Sequence, residues 1–186
     1  MYGLVNKAVE GLICQRAGEA VWEQIKKKAG VDADFFVSMN PYPDEVTYKL
    51  VGAASETLGL PPDEILREFG EYWVQYTAQE GYGHLLSMSG QNFKEFLFNL
   101  DKLHAQVGVN FPALQPPSFR VVETGENELT LHYYSGRPGL APMVIGLLTG
   151  LGRMMSTEVA VAQTASRAQG ADHDEFLVRY QTKEDR

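Results

Sequence analysis

The spacing of apolar residues changes once along this chain, near Pro112. Before that point apolar residues recur every three or four positions, as in Val5, Val9 and Ile13, which indicates amphipathic helices. After it, apolar and polar residues alternate over 118–123 and 128–134, which is typical of strands with one buried face. We therefore expect an α+β fold, with a helical N-terminal subdomain and a C-terminal antiparallel sheet with helices.

Glycine and proline mark the expected helix boundaries in the first part. Helices are predicted to end at Gly18, Gly30 and Gly59, where the apolar periodicity stops. The stretch 81–90 is predicted to be a connection. Asn92 and Glu95 have the spacing of a capping box, which predicts one helix that continues as far as Val107.

The second part is predicted to contain two hairpins and one apolar helix. The hairpins cover 118–134 and 158–181, and the helix between them covers 138–155. The seam between the two subdomains is expected near 110–117, where prolines interrupt both patterns.

Net charge excludes several classes of partner. The 186 residues carry a formal charge of −8, with 24 acidic and 16 basic residues. Such a chain repels phosphate, so neither nucleic acid nor an anionic membrane is expected as a partner. The apolar run 139–152 is shorter than the roughly 20 residues that a membrane span needs.

Cysteine content and the N-terminal residues predict a cytoplasmic location. Cys14 is the single cysteine, so it cannot form an internal disulfide, a zinc–thiolate site or an iron–sulfur cluster. The first twelve residues include Glu10 and lack the charged-then-apolar order of a signal peptide.

His104 lies on the apolar face of its predicted helix, four residues after Leu100 and three before Val107. A histidine there can be a core residue with one satisfied hydrogen bond. It can also be an axial ligand of haem iron, which needs a single imidazole in an apolar cleft. No second ligand follows at helical spacing, which argues against a zinc hydrolase.

Tyr133, Ser135 and Arg137 alternate at the end of a predicted strand, so their side chains leave the same face. Two hydroxyls and a guanidinium group suit the binding of a carboxylate, such as a haem propionate. The same pattern also occurs at ordinary solvated strand edges.

Other candidate sites are weaker. In 172–174 two aspartates flank His173, but adjacent turn residues rarely converge on one ion, and His84 and His132 have no partner nearby in the sequence. Glu68 and Glu71 are expected on a solvated helix face. The glycines at 146, 150 and 152 do not form a dinucleotide-binding motif and are expected to allow either close helix packing or the approach of a flat ligand.

Several segments resemble the haem nitric oxide/oxygen binding (H-NOX) family, which includes the haem domain of soluble guanylate cyclase. The matching segments are MYGLVNKA, GAASETLG, FGEYW, NLDKLHAQVG, PPSF, LHYYSGRPGLAPMVIGLL and DHDEFL. The resemblance implies a single domain over 1–186 of the stand-alone bacterial type. It also implies a distal helical part over about 1–65, a proximal part over about 66–186, and haem b buried between them.

The resemblance implies a role for each matching residue. His104 is the expected proximal iron ligand, and Tyr133, Ser135 and Arg137 are expected to bind the haem propionates. Pro117 matches a proline that presses on the porphyrin and distorts it.

The remaining expected haem contacts are mostly on the distal side. Trp73 and Met143 match positions where the gas binds, and Val5 and Val9 fall near that side on the first helix. Leu100, one turn before the proximal histidine, completes the set.

The residue at position 143 favours a nitric oxide sensor. Relatives that hold oxygen do so with a distal tyrosine donor, whereas Met143 offers none. Loss of that hydrogen bond weakens oxygen binding roughly 10- to 100-fold. We predict binding of NO and CO and exclusion of oxygen. The alternative is an oxygen-binding or redox sensor, in which Trp73 or one of the tyrosines at 72, 76 and 82 is the donor.

The resemblance also implies a signal. NO binding would weaken or break the bond between iron and His104, and the helix would shift to change the affinity of a separate effector. A histidine kinase or a diguanylate cyclase/phosphodiesterase is the expected partner. A haem enzyme is disfavoured because the distal positions lack an acid–base pair, and a haem-free interaction module remains a further alternative.

Overall fold

The computed structural model describes residues 1–182 and contains the expected two-part architecture. The bounds of its helices are α1 Gly3–Ala17, α2 Glu19–Ala29, α3 Asp44–Leu58, α4 Pro62–Thr77, α5 Gly83–Met88, α6 Phe93–Phe98, α7 Leu100–Asn110 and α8 Ala141–Met154. The strands are β1 Ser118–Gly125, β2 Glu128–Tyr134, β3 Thr157–Ala165 and β4 Asp174–Thr182. The α+β prediction is confirmed.

The N-terminal helices end where glycine permits a left-handed backbone. Gly30 has φ 64° after α2, and Gly59 has φ 67° after α3. The backbone amide of each glycine donates a hydrogen bond to a carbonyl oxygen in the last turn of the helix, which the helix itself leaves unpaired. The predicted ends of these helices are therefore correct.

The long helix predicted to begin at Asn92 is instead two helices. Asn99, with φ −98° and ψ 6°, interrupts it between α6 and α7. The capping pattern is half formed, because the Asn92 Oδ1 accepts the Glu95 amide at 2.9 Å while the Glu95 carboxylate accepts the Gln91 amide at 2.8 Å. The predicted connection over 81–90 contains α5, and the segment before it, Ala78–Tyr82, is kinked at Gly81, where φ is 96°.

The four strands form one antiparallel sheet in the order β1-β2-β4-β3. Each hairpin pairs within itself, and the two hairpins join through β2 and β4, where His132 lies opposite Glu175. Residues 129, 131 and 133 of β2 are buried, whereas 130 and 132 lie on the opposite face of the sheet.

The buried residues form two main clusters. One lies among α1–α4 and the other between the sheet, α6, α7 and α8. Helices α4 and α8 cross closely between them, and a Cβ built on Gly146 would lie 2.0 Å from the Arg67 carbonyl oxygen. A Cβ on Gly70 would lie 2.2 Å from the Met143 carbonyl oxygen, so glycine is required on both helices.

Within residues 1–182, no helix combines the length and the apolar character needed to cross a membrane. The subdomain boundary predicted near residue 65 falls inside α4, which contributes to the N-terminal cluster and packs on α8.

Candidate functional site

A cavity of about 340 Å³ lies between the two buried clusters. Both parts of the fold contribute to its wall, with Val5 from α1, Trp73 from α4, His104 from α7, Tyr133 from β2 and Met143 from α8. The wall is largely apolar, and the volume is in the range of about 300–1,000 Å³ that is usual for small-molecule sites.

The side chain of His104 is held in one tautomer. Its Nδ1 lies 2.8 Å from the Leu100 carbonyl oxygen, which can only accept, so Nδ1 is the donor. The lone pair is therefore on Nε2, for which the described residues provide no hydrogen-bond partner. The ring also packs against Phe119, with 5.4 Å between centroids.

Burial lowers the pKa of His104, although the bond to Leu100 and the charge of Asp101 act in the opposite direction. Because burial is the larger effect, the imidazole is neutral at neutral pH. A neutral imidazole with a free Nε2 is the form that binds a metal.

Tyr133 and Ser135 are joined at the end of β2. Tyr133 is 5% exposed, and burial raises its pKa although a hydrogen bond with Ser135 opposes that rise. The Ser135 hydroxyl also accepts the Arg137 amide at 3.1 Å. Ser135 thus forms hydrogen bonds with both neighbours in the motif, whereas Tyr133 and Arg137 lie in the cavity wall.

Arg137 forms a bidentate pair with a residue that the sequence analysis missed. Its Nε lies 2.7 Å from the Asp44 Oδ2, and its Nη2 lies 3.4 Å from Oδ1. A third donor, Nη1, reaches the Gln115 carbonyl oxygen at 2.8 Å. Since α3 begins at Asp44, this pair ties the helical part to the end of the sheet.

Asp44 has a second cationic partner, the N-terminal ammonium group at 2.5 Å. Burial raises the pKa of its carboxyl group, but the hydrogen bonds from the ammonium and from Arg137 outweigh burial, so the pKa is lowered overall. In the sequence, Asp44 looks like an ordinary acidic residue in the first turn of a helix, so nothing there indicates its contact with Arg137.

The other predicted haem contacts are distributed unevenly. Pro117, Leu100, Trp73, Met143 and Val5 line the cavity. Val9 is buried inside the N-terminal cluster and is not among the described residues of the wall.

Tyrosines differ in their access to the cavity. Tyr82 lies in the wall, and its ring packs beside Phe111. Tyr72 and Tyr76 stack on each other outside the described wall, and burial with the charge of Glu80 raises the pKa of Tyr76 to about 12. Of the three tyrosines proposed as alternative donors, Tyr82 is therefore the one with access.

Three residues outside the cavity have partners that are distant in the sequence. Glu68 and Glu71, expected on a solvated face, are partly exposed and form ion pairs with Arg16 and Arg153. His132, which has no partner nearby in the sequence, lies within hydrogen-bond distance of His173.

His84 and Cys14 also lie outside the wall of the cavity. His84 is exposed. Cys14 is half-buried, and burial together with nearby glutamates raises its thiol pKa.

Comparisons with known proteins agree on one family. The family model described as Haem-NO-binding matches residues 2–163. Soluble guanylate cyclase gcy-31 of Caenorhabditis elegans is 31% identical over 162 residues, which are 87% of this chain and 23% of the relative. Guanylate cyclase soluble subunit beta-2 of Rattus norvegicus is 34% identical over 122 residues, 62% of this chain and 18% of the relative. The chain thus spans about a quarter or less of the length of these relatives.

Solved structures share the fold over nearly the whole chain. An H-NOX protein from S. oneidensis in the Fe(II)NO state superposes with a TM-score of 0.89 at 20% identity, covering 98% of this chain and 100% of that one. The unliganded Fe(II) H-NOX protein from K. algicida gives a TM-score of 0.85 at 18% identity, covering 98% of each chain. At these identities the similarity is evidence of a common fold.

Proposed function

This chain belongs to the haem-NO-binding (H-NOX) family, and on that premise we propose that it is a sensor of nitric oxide and not an enzyme. In the proposal it binds NO and CO at ferrous haem, excludes oxygen and signals to a separate effector. The observation that supports it most is the neutral imidazole of His104, which lies in the wall of an apolar cavity and has its Nδ1 already bonded to the backbone.

The residues of the wall fit haem b. His104 would bind the iron through Nε2, because its Nδ1 is already used by Leu100. Tyr133 and Arg137 would bind the propionates from the end of β2, with Ser135 holding them in place. Pro117 and Leu100 lie in the wall, where they would contact the ring. Bound haem would supply a ferrous iron that can bind a diatomic gas.

Propionate binding would alter the contacts of Arg137. The guanidinium group is already paired with Asp44 and Gln115, so a propionate would either share it or replace Asp44. This competition would link occupancy of the cavity to the contact between α3 and the sheet.

Selectivity for NO follows from the donors around the cavity. Met143 has no donor, and two hydroxyl groups of the wall are committed elsewhere: Thr47 donates to Asn6 at 2.6 Å and Thr77 donates to the Trp73 carbonyl oxygen at 2.8 Å. Bound oxygen depends on a donor more than NO does, so the lack of a donor at position 143 favours NO, while Tyr2, Trp73 and Tyr82 are the residues of the wall that still carry a donor to be tested.

The proposed signal is a change in the restraint on α7. Asp101 accepts the Phe119 amide at 2.7 Å, which ties α7 to β1, and His104 provides the second restraint when it binds the iron. If His104 held the iron less tightly, α7 would lose that restraint and could shift against Phe119. An effector that binds one arrangement of α7 more tightly would then respond. A difference of about 1.4 kcal/mol in its binding free energy for the two arrangements changes its affinity tenfold.

We propose a histidine kinase or a diguanylate cyclase/phosphodiesterase as that effector, in the cytoplasm. Signalling requires His104, so His104→Gly should abolish the difference in effector activity with and without NO. If the NO response of the effector survives in His104→Gly, the proposed signal is wrong.

An oxygen-binding or redox sensor is the second candidate, because Tyr82 and Trp73 both line the cavity and both carry a donor. Either donor could stabilise bound oxygen if it reached the gas. The two candidates make opposite predictions for the reduced protein in air.

Absorption spectra test the proposal directly. The dithionite-reduced protein should show a five-coordinate Soret band that air leaves unchanged and that NO and CO shift. Met143→Tyr is the matched variant, since it adds one phenol donor to the same wall, and its oxygen affinity should rise roughly 10- to 100-fold. A stable shift of the wild-type band in air would favour the second candidate, and Tyr82→Phe and Trp73→Phe would then identify the donor.

A further inference from the structure

A second group of histidines lies on the outer face of the sheet, opposite the cavity. His132 on β2 is directly across from Glu175 on β4, and His173 lies in the turn that precedes β4. One ligand atom from each of these three side chains lies within 4.8 Å of the others. We propose that His132, His173 and Glu175 bind one divalent transition-metal ion of the Zn²⁺ type.

The distances are close to those of a tetrahedral site. The His132 Nδ1 lies 3.4 Å from the Glu175 Oε2, which equals the separation of about 3.4 Å expected for two ligands each about 2.0–2.1 Å from zinc. The His132 Nδ1 and the His173 Nε2 are closer, at 2.8 Å, because they share a proton. An ion that replaced this proton would need the pair to open by roughly half an ångström.

Hydrogen bonds already orient two of the three ligands. The Asp172 carboxylate accepts from the His173 Nδ1 at 2.5 Å, which points Nε2 towards His132 and reproduces the carboxylate–histidine–metal arrangement of zinc proteins. Thr164 donates to the Glu175 Oε1 at 2.7 Å and leaves Oε2 facing His132. The ring of Tyr134 stacks on His173, with 4.4 Å between centroids, which fixes the imidazole plane.

The local charge favours a divalent cation. Glu175 and Asp172 contribute two negative charges, which balance the ion when both imidazoles are neutral. Arg120 is the cationic residue across from His132 on β1, and its side chain is exposed, so solvent screens it. Two imidazoles and one carboxylate favour Zn²⁺, Ni²⁺ or Cu²⁺ over Mg²⁺ and Ca²⁺, which prefer oxygen ligands.

Such an ion would join strands β2 and β4 to the turn between β3 and β4. His132 is adjacent to Tyr133, whose side chain enters the cavity from the other face of the same strand. The three protein ligands would leave a fourth position for water.

Equilibrium dialysis of the tag-free, haem-loaded protein against Zn²⁺ tests the site, with the bound metal measured by elemental analysis. The wild type should retain one Zn²⁺ per chain in addition to its iron, and Mg²⁺ should not be retained. His173→Ala should weaken Zn²⁺ binding more than 10-fold, and Asp172→Asn should weaken it roughly 10- to 100-fold by releasing the His173 ring. His84→Ala, which removes an exposed imidazole far from the cluster in sequence, should leave binding unchanged.

Two results would overturn the site. One is a wild type that retains no Zn²⁺, and the other is equal Zn²⁺ retention in the wild type and in His173→Ala. Glu175→Gln preserves the size of the side chain and its contact with Thr164, so it keeps the test valid if His173→Ala does not fold. Normal haem spectra in the variants would show that any loss of Zn²⁺ is local to the cluster.

Discussion

The cavity and the outer cluster use the same side chain in contrasting surroundings. In the cavity a single imidazole, His104, belongs to an apolar wall, and its Nδ1 is bonded to the backbone. On the outer face two imidazoles meet each other and two carboxylates. The first arrangement suits a large flat cofactor that brings its own ligands, and the second suits a small ion that takes most of its ligands from the protein.

The sheet separates the cavity from the outer histidine cluster. Adjacent residues of β2 point to opposite faces, so Tyr133 faces the cavity while His132 joins the outer cluster. Neighbouring positions in the sequence can thus serve two sites with different polarity. The ligand that a histidine can bind therefore depends on which residues its strand or helix places beside it.

Removal of the cavity imidazole should give the largest difference between the effects on haem binding and on Zn²⁺ binding. We expect His104→Ala to lower haem affinity by more than the roughly 100-fold typical for loss of an outer-sphere partner, because it removes the iron ligand itself. Zn²⁺ binding by the outer cluster should not change. Haem titration and elemental analysis of the same sample measure both effects, and added imidazole should restore the spectrum. Unchanged haem affinity in His104→Ala would show that another residue ligates the iron.

Replacement of a glycine at the contact between α4 and α8 by a larger residue should weaken haem binding in the cavity through packing alone. In Gly146→Ala the new Cβ would lie 2.0 Å from the Arg67 carbonyl oxygen, so the helices must separate. We expect a loss of about 1–3 kcal/mol in unfolding free energy and faster haem release, with outer Zn²⁺ binding retained. Urea unfolding and haem transfer to an acceptor protein measure these effects.

Gly52→Ala is the matched control for this substitution. Among the residues that the structure describes, no atom outside its own helix lies within 4 Å of a Cβ built at Gly52 in α3, so alanine there should be neutral or stabilising by up to about 1 kcal/mol. If both variants lose stability equally, the helix crossing is not the reason.

Local signals explain why much of the fold was predictable. Gly30 and Gly59 end their helices through their own backbone conformation, and alternation over β1 and β2 follows from one buried face. The break at Asn99 was missed because the apolar stripe continues across it, and neither glycine nor proline marks the position. At the break the Asn99 side-chain amide donates to the Glu95 carbonyl oxygen at 3.0 Å, a contact that the apolar pattern does not reveal.

The sites show the same limit. His104 and the residues at 133, 135 and 137 could be found because periodicity places them on one face of a helix or strand. The contact of Arg137 with Asp44 spans 93 residues, and that of His132 with His173 spans 41. The second contact depends on the pairing of β2 with β4, and hairpin patterns alone do not determine which strands meet.

The pairing of Arg137 with Asp44 should give the smallest effect, and it concerns the rim of the cavity rather than either histidine. Because the pKa of Asp44 is lowered from its usual 3.8, the native state favours the charged carboxylate. Its contribution is present above pH 3.8 and is lost as pH falls through the lowered value. The side chain is 36% exposed, so we expect Asp44→Asn to cost about 1 kcal/mol or less at pH 7. Urea unfolding from pH 7 to pH 3 should show the wild type and the variant converging at the acidic end, whereas a constant difference would mean that the carboxylate charge is not what stabilises the contact.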